Sequence, residues 1–391
     1  MLNIYVLLVS LLGIFIINQA SAASPANGQI KQYQVSLTST LGLDSNPYRF
    51  SNQFKTQSEK TQFLEHRLTA KYLFSPYWRT QVSLTDTHYQ QSQNWGNQKK
   101  WSASLFFKKL KKRKKKYLSR NQRLFNLKYE QLDKTYVSRL SGGLSSYAGT
   151  QLNKRYNYQQ LSTQYEQHIN LSKKSQWQYE LAYKNKDYEN YANAGISDLD
   201  YQALNIENRF QRFISKRQHQ QWRLNLAHRQ YANKLQKDIK GDDIKDTNLT
   251  YLDATLGYEH SWQSSRKHTA SVSTEYMKRD DNGSGYYNSH ESSISFHSKY
   301  RFTGKSSFSS QYQYTDFAYE RPSTQLSDTT TEEYGSHQKH RVKLKGRINI
   351  NRYLPLNAML LLDYQYEQVS ADKSQYQYSR HILETGLKFK F

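Results

Sequence analysis

The sequence predicts an all-β chain, a single antiparallel transmembrane β-barrel of about sixteen strands with short turns at one end and long loops at the other. Three observations carry this. Apolar and polar residues alternate through segment after segment, which gives each strand one oily and one wet wall. The connections between segments alternate in length, short then long. The chain also ends on such a segment: Leu383, Thr385, Leu387, Phe389 and Phe391 fall on one face, and Glu384, Gly386, Lys388 and Lys390 on the other.

From Lys31 the segments follow in order. The first carries Tyr33, Val35, Leu37 and Leu41 on its apolar face, and the second Leu64, Leu68, Ala70, Tyr72 and Phe74, stopping at Ser75-Pro76. Trp78, Val82 and Leu84 mark the third, Trp101, Leu105 and Phe107 the fourth, and Phe125, Leu127 and Tyr129 the fifth. Leu161, Tyr165 and Ile169 give the sixth, which turns at 172–175 into Trp177, Tyr179, Leu181 and Tyr183. The eighth has Leu204, Ile206 and Phe210, and the ninth Trp222, Leu224 and Leu226. The tenth alternates most cleanly, through Leu252, Ala254, Leu256, Tyr258, His260 and Trp262. Then come Ala270, Val272 and Tyr276, Ile294, Phe296 and Tyr300, Phe308, Tyr312 and Tyr314, Val342, Leu344 and Ile348, Leu356 to Tyr366, and the terminal strand. Each is about the 9–11 residues that a tilted membrane strand needs. Short connections are expected near 75–76, 171–175, 214–219, 263–266, 303–305 and 351–355. Long ones are expected near 44–62, 90–99, 131–154, 187–199, 231–247, 279–289, 319–336 and 368–375.

Composition fits a barrel with a wet interior. Only 36% of the 391 residues are hydrophobic, and no internal run approaches the ~20 apolar residues of a membrane helix. The 34 tyrosines are the outlier, as expected where aromatics collect at both membrane interfaces. Leu7 to Ile17 reads as the apolar region of an export signal and Ala20-Ser21-Ala22 as its cleavage site, so residues 1–22 are expected to be removed and 23–391 to form the barrel.

Lysine and arginine number 56 against 32 acids, a net charge of +24. On the wet face the sharpest feature is Arg341, Lys343, Lys345 and Arg347, four successive inward positions about 7 Å apart. Such a ladder repels itself unless anions or facing carboxylates compensate it. One reading is a basic track that binds anionic cargo; the other is pairing with Asp363, Glu367 or Glu384. Arg223 and Arg229 on the ninth strand join the candidate cargo-binding set.

Other motifs have plainer readings. Lys108 to Lys116 holds eight basic residues in nine, at a predicted turn beside anionic lipid headgroups. Export rules out a nucleic-acid partner. Asp280, Asn282, Ser284, Gly285 and Glu291 have calcium-loop spacing, but a β-hairpin turn accounts for the same residues. No metal or other cofactor is assigned. Asp238, Asp242, Asp243 and Asp246 read as a solvated loop tip.

The aromatic terminal strand ending at Phe391 resembles the signal that bacterial outer-membrane barrels present to their assembly machinery. Over residues 31–391 the chain resembles outer-membrane barrels of the porin type. Segment 131–154, with Ser141-Gly142-Gly143, is third among the long loops, the position that folds into the lumen in general porins. Leu41-Gly42-Leu43-Asp44-Ser45-Asn46-Pro47 is similar to a stretch in putative porins of exopolysaccharide loci and in surface-lipoprotein assembly modifier barrels, and also reads as an Asx-turn. These resemblances imply a cell outer-membrane location, contact with lipid and lipopolysaccharide, and a channel for hydrophilic or anionic solutes or surface polysaccharide; homo-oligomers are common among such porins. A structural or adhesive barrel without an open pore is a second class. A third is a lipid hydrolase, because His290 and Ser292 share a face with the spacing of the outer-membrane phospholipase.

Overall fold

In the computed structural model, described for residues 33–46, 60–90, 97–111, 121–134, 157–189, 199–238, 242–303, 305–320, 336–351, 357–372 and 377–391, the chain is one closed antiparallel barrel. Its strands are β1 (Tyr33–Asp44), β2 (Thr61–Leu73), β3 (Trp78–Tyr89), β4 (Gln98–Lys111), β5 (Asn121–Lys134), β6 (Tyr158–Asn170), β7 (Ser175–Tyr188) and β8 (Tyr201–Ser215). The second half continues with β9 (Gln218–Lys237), β10 (Asp243–Trp262), β11 (His268–Asp281), β12 (Ser289–Arg301), β13 (Ser307–Tyr319), β14 (His337–Asn349), β15 (Asn357–Ala371) and β16 (Tyr378–Lys390). Each strand pairs with its sequence neighbours, and β1 closes the ring on β16 from Ser36↔Lys390 to Asp44↔Ile382. The sixteen expected strands are all present. The expected signal segment 1–22, Pro47, residues 112–116 and residues 141–143 lie outside the described residues.

The alternation works as the sequence requires. Leu41, Val82, Leu181, Leu224, Leu256, Ile294, Leu362 and Leu383 are all exposed on the outer wall. A soluble protein does not present such a band, and a hydrocarbon surround demands it. Aromatics ring the band at both ends. Near the short turns, Tyr72, Phe74, Trp78 and Phe107 follow one another with ring centroids 4.8 to 6.4 Å apart. Near the long loops, Tyr314 and Tyr366 lie against His340 and His381.

Two expected loops differ. Segment 231–247 is mostly strand, because β9 and β10, twenty residues each, run on as one hairpin whose register shifts around Asn248. Segment 279–289 shrinks to a turn at 282–288. One apolar cluster explains both: Leu249 and Tyr251 of the hairpin pack on Tyr286 and Tyr287 of the turn, with Tyr231 beside them. These residues were invisible as strand formers because the stretch between Lys234 and Thr247 is polar and lacks alternation.

The ring is fastened at its seam. Asp44 on β1, whose side chain is fully buried, accepts two hydrogen bonds from Arg380 Nε on β16 at 2.9 and 3.1 Å and one from Arg380 Nη2. Asp44 also accepts the Asn46 N–H at 3.0 Å, which is the expected Asx-turn. Beside it the ring of Phe63 lies over the bare backbone of Gly42 and packs on Tyr89 at 5.2 Å. A side chain at position 42 would occupy the place of that ring. Aromatic cover of a strand glycine is a recurrent way to fix register.

Asp44→Ala leaves a mostly buried guanidinium without its carboxylate, a change that costs roughly 3–5 kcal/mol. The urea midpoint of the refolded chain is expected to fall, whereas Asp44→Ala with Arg380→Leu recovers much of the loss. Gly42→Val is expected to destabilise the barrel through Phe63, and adding Phe63→Ser to relieve it, as read by the heat-dependent gel shift of folded barrel.

Candidate functional site

The inner wall is where the barrel's chemistry lies. Apolar inward residues are few, and those that are buried gather at the long-loop end instead of filling the lumen. The sixteen-strand ring is wide enough for an aqueous channel among the described residues.

The predicted ladder on β14 is split by its neighbours. Arg341 stands opposite Glu367 on β15 and donates to its Oε2 from Nε at 3.1 Å and from Nη2 at 2.7 Å. Lys339 reaches the same carboxylate at 3.1 Å, and Tyr378 Oη donates to Oε1 at 2.6 Å. Glu367 is fully buried, so Arg341 at this end of the ladder is held in a fixed, hydrogen-bonded pair. Lys345 is 3.8 Å from Asp363 on an exposed stretch, a weak pair. Lys343 and Arg347 have no carboxylate within ion-pair distance among the described residues. Their cross-strand neighbours are Gln311 and Gln365, and Ser307 and Leu361.

Three further cations extend this unneutralised surface toward the short-turn end. Lys388 and Lys390 project inward from β16 and Lys71 from β2, again with no carboxylate partner among the described residues. Sequence reading missed them as a group. Lys388 and Lys390 were visible as wet-face residues, but their side-by-side approach to Arg347 requires the β14–β16 register and the closed seam.

On the far wall, Arg223 reaches past Gly257 to Glu275 on β11 and also lies 4.0 Å from Glu207. The three positions are aligned across β9, β10 and β11, and the Arg223 side chain crosses over the glycine of the middle strand. Arg223 is thus paired. Arg229 is not: it lies over the Tyr201 ring at 4.9 Å, touches Tyr231 Oη at 3.4 Å, and keeps a buried Nε without a partner.

The architecture is a closed sixteen-strand antiparallel barrel with an apolar outer band. No protein-family model matches the chain, and no curated protein matches it by sequence. Among solved structures it is similar to the outer-membrane protein OprD of Pseudomonas aeruginosa, with 11% identity over 94% of this chain and 95% of that one, at a TM-score of 0.47. A BenF-like porin of Pseudomonas fluorescens gives 11% identity, coverage of 93% and 100%, and 0.47. OmpT of Vibrio cholerae gives 8% identity, coverage of 93% and 99%, and 0.41.

The remaining motifs resolve into local structure. The calcium-spaced residues do not converge: Asp280 pairs with Lys278 at 3.0 Å, and Glu291 sits inside strand β12. Asp281 organises the turn instead, accepting N–H groups from Gly283 and Gly285 at 2.9 Å and from Tyr287 at 2.7 Å. His290 stacks on Tyr276 at 6.4 Å, and Ser292 stands across from Tyr276 and Asp316. Among the described residues no hydrogen bond joins His290 to Ser292, so the pair is not arranged as base and nucleophile. The acidic tip is the end of the β9–β10 hairpin, where Asp238 Oδ1 accepts the Asp242 N–H at 2.9 Å.

Asp281→Ala removes three backbone acceptor contacts at once. Cleavage by added protease within 282–288 is expected to quicken severalfold, with calcium and chelator giving the same rate for the unsubstituted chain.

Proposed function

We propose that the chain is an outer-membrane channel for hydrophilic solutes that prefers anions, with export of an acidic surface polysaccharide as its narrower form. The observation that supports this is a group of cations on one inner wall with no carboxylate within ion-pair distance among the described residues: Lys343, Arg347, Lys388, Lys390 and Lys71. Charged rings of one sign attract counter-ions into a pore and raise their local concentration. In this reading, cleavage after Ala22 releases the chain from its export signal, and the Phe391 strand is the element offered to the assembly machinery. The short-turn end, where both ends of the barrel sheet lie, then faces the periplasm.

Single-channel current of chain 23–391 in a planar bilayer under a salt gradient tests the reading. A steady current with a zero-current potential of anion sign is expected. Lys343→Ser with Arg347→Ser is expected to move that potential toward zero by a larger amount than Arg341→Ser, because Arg341 is already neutralised by Glu367. The absence of any current would leave a structural or adhesive barrel, held shut by its loops.

A further inference from the structure

A second group of cations stands on the wall opposite β16. Eight strands away in the ring, Lys184 and Lys186 of β7 and Arg229 of β9 project inward around Ala203 of β8. Ala203 is paired with Lys184 on one side and with Arg229 on the other, so its methyl leaves a gap between two like charges. Along the strand Lys184 and Lys186 are about 7 Å apart, and β7 and β9 are about 10 Å apart across the gap. None of the three has a carboxylate within ion-pair distance among the described residues, although Glu130 and Glu207 lie in the same wall and are taken by Lys100, Lys128 and Arg209.

Tyrosines frame the gap. Lys186 Nζ lies 3.7 Å from the centre of the Tyr158 ring, and Arg229 lies over Tyr201. The rings hold these cations while Tyr158 Oη donates to Glu130 Oε1 at 2.7 Å, and a tyrosine ring is also a flat apolar surface against which a pyranose ring can lie. Repulsion among three cations is relieved by any anion that enters. The buried and unpartnered Nε of Arg229 is a donor already desolvated and aimed at nothing.

We infer that the gap around Ala203 is a binding subsite for an acidic saccharide, its carboxylates held by Lys184, Lys186 and Arg229 and its ring faces by Tyr158 and Tyr201. The inference rests on the channel reading only in that the lumen must be hydrated and accessible. Titration calorimetry of the full refolded chain in detergent micelles tests it, with a short oligomer of galacturonate as probe, a neutral glucose oligomer of the same length, and inorganic sulfate.

The uronate oligomer is expected to bind, the neutral oligomer and sulfate to bind at least about tenfold more weakly. Lys184→Gln with Lys186→Gln is expected to weaken the uronate by about tenfold or more. Ala203→Glu provides a second variant that removes no cation: its carboxylate neutralises the gap and is expected to abolish binding. Uronate affinity unchanged in both folded variants overturns the subsite, and sulfate binding as tightly as the oligomer overturns the saccharide. A chain that binds the oligomer but passes no current sinks the channel and keeps the subsite. A conducting chain that ignores the oligomer does the reverse.

Discussion

Everything in this molecule depends on closing the sheet. In hydrocarbon each unpaired backbone N–H or C=O costs several kcal/mol, so a sheet with free edges is not a viable membrane structure. The first strand must therefore find the last. Register between β1 and β16 is not set by any connection between them, because the two strands are the ends of the sheet. Side chains have to set it. Asp44 and Arg380 do so with a buried pair at one end of the seam, while Phe63 over Gly42 fixes the adjoining β1–β2 pair. A buried ion pair contributes little net stability compared with apolar packing, but a slipped register would leave both charges unmatched. The pair selects one closure among several.

That closure determines the lumen's charge pattern. With the register fixed, Glu367 falls beside Arg341 on one side and is reached by Tyr378 from the other, so the cations at the long-loop end of this wall are paired. Toward the opposite end Lys343 and Arg347 face glutamine, serine and leucine, and only Lys345 has an acid opposite it, Asp363, with Glu384 beyond on β16. A one-residue slip of β16 would exchange its inward and outward faces and carry Lys388 and Lys390 into lipid.

The barrel was legible because a two-residue period survives any tertiary context: a strand between lipid and water must alternate. Leu252 to Trp262 shows this so plainly that neither its existence nor its outward face was in question. The extension of β9 and β10 was not legible, because beyond the rim both faces meet water or loop and alternation no longer serves a purpose. There the bulge around Asn248 and the packing of Leu249 on Tyr286 and Tyr287 take over. Charge pairing was legible only within a strand. Arg341 and Lys343 look alike in the sequence, and what separates them is that Glu367 faces one and Gln365 the other. Arg223 and Arg229 likewise differ through residues on other strands, Glu275 for the first and Tyr201 for the second.

Two cation groups on opposite walls, neither with a carboxylate within ion-pair distance among the described residues, constrain the state of the interior. An ammonium or guanidinium taken out of water without a partner is severely penalised. Lys343, Arg347, Lys388, Lys390 and Lys71 on one wall, and Lys184, Lys186 and Arg229 on the other, are therefore compatible with water or anions between them and poorly compatible with a dry plug. A loop that filled the lumen would have to bring acids to both groups. Keeping the lumen wet costs the fold little, because its stability resides in the hydrogen-bonded ring and the lipid-facing band. Lumen side chains are correspondingly released from packing.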